Sequence, residues 1–394
     1  MSRSRNQFSQ KVDSTQVFQA LLTLVQARLP LVLHNTRITT AELLEVLMYA
    51  SVHQTSMDTT CLELDGAPSG NRVREVLLAA LPKRPVLQRA LNTILRRQVH
   101  RSLFKGKRDY CIAIDITLIP YHGHANPDDP TVVRAHAKAG TNQFHGYATV
   151  AIVHHRQRYV LALRFVQPHE PMVAIVRDLL DRVRRLNLRI RRVLLDKEFY
   201  AVEVFRTLDR RHLAYVIPVP IKRSKPIKKP TALQALCQGR RSYTTPYTMH
   251  PTQGRHYGIS LMLVKRKRRR HQKKVVRWFV YAVAGLPAQI TPHGVFELYR
   301  QRFGIETSYR QLHQVRARTS SQNATLRLLF VGLALILLNL YVTLRMAVQT
   351  VIRGSVGGHP WLSLRRLAFL LGRAIDALFA PPTLVFVRSV ETFS

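Results

Sequence analysis

Three acidic residues mark the positions in this chain where chemistry is most plausible. The chain carries 61 lysine and arginine residues against 22 aspartate and glutamate, a formal net charge of +39. A carboxylate inside an apolar or basic run is therefore a conspicuous choice. Asp115 lies within CIAIDITLI (111–119), Asp196 ends RRVLLD (191–196), and Glu306 is the one acid in YRQRFGIETSYRQLH (299–313). A carboxylate within an apolar strand is costly unless it is paired or metal-bound. The end of a parallel strand is where open α/β sheets place their sites. Two aspartates and a glutamate are hard oxygen ligands suited to Mg²⁺ or Mn²⁺. Two such ions would complete a phosphoryl-transfer site, one activating water or a 3′-hydroxyl and the other stabilising the departing oxygen. Asp196 also has a plainer reading, as the cap of the helix that follows it.

The surroundings of Glu306 sharpen this picture. On a helix from Val295 to about Arg318, at about 100° per residue, Tyr299, Arg302, Glu306, Arg310 and His313 fall within an arc of roughly 80°. That single polar stripe could hold a metal and a phosphate. It also fits a solvated helix face with an i,i+4 pair from Glu306 to Arg310. Competing chemistries lack their residues: there is no GxxxxGK[ST] loop, no GxSxG elbow and no His/Cys set with zinc spacing. Cys61, Cys111 and Cys237 are isolated, which argues against a disulfide framework and fits a reducing cytoplasm. The N-terminal MSRSRNQFSQKVDS has no apolar core of the kind a secretory signal requires.

The elements that must position these residues follow from periodicity. At 394 residues and 46% apolar content, the chain can bury a sizeable core in two or three domains. Residues 13 to about 100 read as helices, with a capping box at Thr39–Glu42 and a helix Asn71–Leu81 carrying Arg72 and Arg74. These helices suit either a helix-turn-helix-like DNA reader or a bundle that packs on the next domain. From Cys111 the apolar runs shorten, and the order becomes β-β-β-α-β-α-β through residue 221. This succession predicts a mixed α/β sheet flanked by helices, its first three strands a meander and the later ones reached by helical crossovers. Residues 222–290 are basic and strand-like. Lys222–Lys229 form one cluster and Lys265–Arg270 with Lys273 and Lys274 another, the second at the tip of a hairpin suited to phosphate contact or simply to solvation.

A positive field spread along the whole chain suits a polyanion, either nucleic acid or an anionic membrane surface. Ala324–Ile352 is the one membrane-like stretch. Its uninterrupted apolar run, Leu328–Leu338, is short of the ~20 residues a bilayer requires, so a helix buried in a protein core is expected and no membrane partner.

The order Asp115, Asp196, Glu306 on this succession resembles the ribonuclease-H-like core of DDE transposases from prokaryotic insertion sequences. The stripe resembles their Y-x2-R-x3-E-x6-K signature, with Tyr299, Arg302 and Glu306 in register and His313 at the lysine position. IDITLIPYHG and LLDKEFY are similar to the blocks around the family's two aspartates, and an apolar helix directly after the Glu helix is similar as well. The resemblance implies a helical DNA-binding domain at 1–105, a catalytic core at 108–221 and 291–352, a basic β-rich insertion at 222–290 and a C-terminal helical segment at 353–394. It also implies cut-and-paste transposition. Asp115, Asp196 and Glu306 would hold two Mg²⁺ or Mn²⁺ ions, Arg302 would contact a terminal DNA phosphate, and Tyr299 would help to position the DNA. Arg310 or His313 would supply the phosphate contact usual for the lysine. The partners implied are double-stranded DNA, as terminal inverted repeats and target, and a second protomer when two ends are paired. The location implied is the cytoplasm, at the nucleoid. A nuclease or resolvase on the same core, and a domesticated DNA-binding protein without catalysis, are the alternatives.

Overall fold

The computed structural model describes residues 13–99, 109–123, 126, 129–153, 158–221, 232–250, 256–270, 273–352 and 362–379. The Lys222–Lys229 cluster, the loop 354–360 and the C-terminal end from residue 381 lie outside them. In chain order the helices and strands are α1 (Ser14–Gln26), α2 (Thr40–His53), α3 (Met57–Glu63), α4 (Gly70–Ala80), α5 (Arg84–Gln98), β1 (Tyr110–Pro120), β2 (Val133–Lys138), β3 (Thr141–Ile152), β4 (Val160–Val166), α6 (Met172–Arg184), β5 (Ile190–Leu195), α7 (Val202–Arg210), β6 (Ala214–Pro218), α8 (Ala232–Leu236), β7 (Tyr243–Met249), β8 (Tyr257–Arg270), β9 (Lys273–Ala284), α9 (Pro292–Arg300), α10 (Phe303–Leu312), α11 (Ala324–Ile352) and α12 (Leu364–Asp376). They form two compact units, Val99–Tyr309 and Met1–Gln98 with Arg310–Ser394.

The first unit is built on a nine-stranded mixed sheet, ordered β2-β3-β1-β5-β6-β9-β8-β7, with β4 also pairing on β3. β1 runs parallel to β5, and β5 to β6. The other pairings are antiparallel. The meander expected of the first strands is β1, β3 and β4, with α6 and α7 crossing to β5 and β6. β2 is an addition that periodicity did not reveal. Its residues VRAHAK are mostly exposed, so no apolar alternation marks it. It pairs through a tight turn in which Ala139 (φ 50) and Gly140 (φ 79) take the left-handed conformations such hairpins require. The basic stretch does not form a separate sheet. β9 pairs with β6, and β8 and β7 follow outward, so the insertion extends the core sheet. Arg270 lies opposite Lys273 at the end of the β8–β9 ladder.

The second unit is helical. α2 begins with the expected capping box, Thr39 Oγ1 accepting from Glu42 N while the Glu42 carboxylate accepts from Thr39 N. α11 packs on α5 and α2, and Gln98 Nε2 donates to Ile336 O at 2.9 Å. Ala324–Arg345 is long and apolar enough to cross a membrane, yet 78% of its most apolar window is buried inside the structure. Leu326, Leu328, Leu329 and Leu335 have no exposed surface. Each such leucine contributes roughly 1.5–3 kcal/mol when moved out of water, which accounts for an apolar stretch of this length without a bilayer.

Candidate active site

The pairing register explains how two distant aspartates come together. Ile114 on β1 lies beside Leu195 on the parallel strand β5, so the next residues, Asp115 and Asp196, stand at neighbouring positions where β5 ends. Asp115 stays within the ladder opposite Thr149 of β3, whereas Asp196 leaves it and caps a single 3-10 turn, Lys197–Phe199. Asp115 Oδ1 accepts from Ile116 N at 2.9 Å, and Asp196 Oδ1 accepts from Lys197 N at 2.7 Å. Asp196 thus caps the short 3-10 turn with one of its oxygens and not the helix α7, whose N-cap is Ala201. The other remains available.

That other oxygen, and those of the remaining two acids, meet Arg302. Its Nη2 lies 3.1 Å from Asp115 Oδ2 and 3.4 Å from Asp196 Oδ2, and Nη1 lies 2.8 Å from Glu306 Oε1. The arginine side chain is 5% exposed, against 10% for Asp115, 28% for Asp196 and 45% for Glu306. Burial pushes the Asp115 carboxyl up to about 6; Arg302 opposes that rise and Asp196 adds to it. Burial likewise works against the Arg302 charge, but Tyr299 and the three acids around it outweigh burial and hold the guanidinium above its ordinary range.

One continuous helix carrying all five stripe residues is not what forms. α9 ends at Arg300 and α10 starts at Phe303. At the junction Gln301 N and Arg302 N bond back to Leu298 O and Tyr299 O, three residues earlier instead of four. This tighter turn carries Arg302 into the cluster. Tyr299, on α9, is buried, with its hydroxyl donating to Leu195 O at 3.2 Å and its ring 5.8 Å from the Arg302 guanidinium. Glu306 begins α10. Arg310 is exposed near the end of that helix, and His313 falls in the turn after it. Both belong to the helical unit, and the acid cluster to the sheet unit. The surroundings of His313, together with Arg316, push its imidazole toward the neutral form.

Two features escaped periodicity. Tyr309, one turn beyond Glu306, donates its hydroxyl to the Asp115 carbonyl at 2.8 Å and pairs with Thr149 Oγ1 at 2.7 Å, tying α10 to β1 and β3 at the level of Asp115. Burial and the nearby Asp115 raise its pKa well above the phenol value. Beside the cluster lies a groove of about 680 Å³. Trp278, Phe279, Phe296 and Phe303 provide aromatic surface, while Lys197 and Arg300 supply positive charge. A second, more open basin of about 750 Å³ gathers Arg240, Arg241, Lys265, Lys267 and His293 around Glu297, which is paired with Arg266 at 3.0 Å. Aromatic faces next to cations suit nucleobases and phosphates.

The model of the family described as transposase DDE domain matches residues 106–340. The chain belongs to that family. Its span takes in β1, the end of β5 and α10, the three elements that carry the acids of this DNA transposase. Among solved structures, a piggyBac transposase synaptic complex with hairpin DNA, determined by cryo-electron microscopy, shares the fold with a TM-score of 0.56 at 14% identity, over 97% of this chain and 84% of that one. No curated protein matches the sequence.

Proposed function

We propose that this transposase binds the ends of its own insertion sequence and moves it by cut-and-paste, cleaving DNA strands and joining the freed 3′-ends to target DNA, with Asp115, Asp196 and Glu306 as its catalytic acids. The observation that carries this reading is the meeting of three carboxylates from β1, the end of β5 and α10 on one buried guanidinium, within the region matched by the transposase family. The strand order β4-β3-β1-β5-β6, three antiparallel strands continued by two parallel ones, supports a ribonuclease-H-like core extended by the basic insertion. The register of Tyr299, Arg302 and Glu306 supports a place in the Y-x2-R-x3-E-x6-K group of prokaryotic insertion sequences, and with it a cytoplasmic, nucleoid-associated protein.

The donor set fits a hard divalent cation. It is all oxygen and net negative, and it already draws a cation to its centre. Bound Mg²⁺ or Mn²⁺, in a pair, would activate water or a 3′-hydroxyl and stabilise the departing oxygen. The chain's own residues set the stage for this. Asp115 within β1 and Asp196 just past the end of β5 are each held by a backbone N–H donor, Glu306 is brought to them by a helix tied down through Tyr309, and the aromatic groove and basic basin offer surfaces for bases and phosphates. Helices α1–α5 would read the terminal inverted repeats, and pairing of two ends calls for a homodimer.

The test is Mg²⁺-dependent cleavage and joining on DNA bearing the element's own ends. Glu306→Gln removes a ligand charge while keeping its shape, so end binding is expected to persist and cleavage to collapse. Normal cleavage by a folded Glu306→Gln protein would remove Glu306 from the mechanism. Cleavage without joining by the wild type would make the protein a nuclease.

A further inference from the structure

Arg302 occupies the place toward which all three proposed metal ligands point. Among the described residues no three His, Cys, Asp or Glu side chains stand together as a ready metal site. The contacts distribute the acids over the two terminal nitrogens of the guanidinium, Asp115 and Asp196 on Nη2 and Glu306 on Nη1. A divalent ion entering this cluster would have to share it with a fixed positive charge a few ångströms away, and in so buried a place such repulsion is strong. The same arginine is incompletely satisfied, since its buried Nε has no acceptor. It also sits outside regular helix, in the short junction between α9 and α10. The aromatic groove is lined by Tyr299, Arg300 and Phe303, which flank Arg302, and by Lys197, which follows Asp196. A phosphate lying there would compete with the carboxylates for the guanidinium.

We propose that Arg302 is a placeholder cation: in the DNA-free chain it gathers the three acids and keeps divalent ions out, and a DNA phosphate that draws it away opens the cluster to metal. This rests on the carboxylates being metal ligands, as proposed above. It adds an order of assembly, DNA before metal, that restrains free transposase from acting as a metal-loaded nuclease.

Mn²⁺ titration of the full-length protein without DNA, followed by calorimetry and by electron paramagnetic resonance of the free ion, tests this without reference to cleavage. Arg302→Met, which removes the charge but keeps much of the side chain, is expected to bind Mn²⁺ about tenfold or more tightly than wild type. Arg302→Lys, which keeps a charge but loses the fork, should fall between them. Asp196→Asn in each background identifies the site by weakening its binding. Adding a short duplex DNA should tighten Mn²⁺ binding by wild type and change that of Arg302→Met much less. Should a folded Arg302→Met bind Mn²⁺ no better than wild type, Arg302 is a structural brace and the placeholder role is wrong. If Arg302→Met fails to fold, Arg302→Lys decides, and equal or weaker binding overturns the proposal. Absence of any Asp196-dependent Mn²⁺ binding, with or without DNA, would bring down the metal reading itself and this inference with it.

Discussion

Replacing Asp115 by Asn should stabilise the metal-free protein in a pH-dependent way, and the size of the effect follows from the burial of this carboxyl. The folded chain holds the Asp115 proton more tightly than the unfolded chain does, the pKa rising from 3.8 to about 6. A raised carboxyl contributes stability that is complete below the unfolded value and is lost as the pH climbs through the folded one. The wild type therefore loses stability mainly between pH 4 and 6. At about 1.4 kcal/mol per pH unit over this interval, the loss amounts to roughly 3 kcal/mol. Asn has no proton to lose. It also gives up part of the hydrogen bonding to Arg302 and Ile116, an offset of roughly 1 kcal/mol that does not titrate. The difference in unfolding free energy, Asp115→Asn minus wild type, should thus start near or slightly below zero at pH 4, grow by about 3 kcal/mol by pH 7 and then level off. Urea denaturation in chelator-containing buffer across this range measures it, because the offset cancels from the slope. A difference that stays flat, or falls as the pH rises, would show that Arg302 already neutralises Asp115 and that the site stores no electrostatic cost.

Tyr309→Phe leaves the Asp115 carbonyl and the Thr149 hydroxyl without their shared partner and should cost about 1–3 kcal/mol in the same denaturation assay. A Cβ at Gly332 would stand 2.5 Å from both Leu91 methyls at the α5–α11 crossing, so Gly332→Val should destabilise by about 1–3 kcal/mol through overpacking, read as an earlier thermal transition. Deleting residues 1–105 strips α11 of α5 and α2 and exposes its apolar surface, so the truncated protein should aggregate on size-exclusion chromatography unless detergent is present. End recognition is therefore better tested by surface substitutions such as Arg72→Ala than by truncation. Changing Arg240, Arg241 and Lys267 together to Ala should lower the slope of log affinity against log salt for duplex DNA by about 0.9 for each phosphate these side chains no longer neutralise.

Periodicity and composition carried much of this protein. Asp115 inside CIAIDITLI, Asp196 after RRVLL and the lone acid of YRQRFGIETSYRQLH were visible because a chain so poor in carboxylates makes each one conspicuous. The capping box of α2 and the buried character of the apolar helix were legible for an equally local reason, since side chains a few residues apart decide them. β2 was not, because an exposed edge strand shows no apolar alternation. Nor was the break between α9 and α10, where a turn with bonds to the third residue back preserves the sequence spacing of Tyr299, Arg302 and Glu306 but not their common helical face. The meeting of Asp115 with Asp196 depends on parallel register, a relation between strands far apart in the chain that neither strand encodes alone. Only the folded sheet turns Arg302 from one arginine among 61 basic residues into the cation that three acids share, because burial of Arg302 and Asp115 removes water that would otherwise screen their charges.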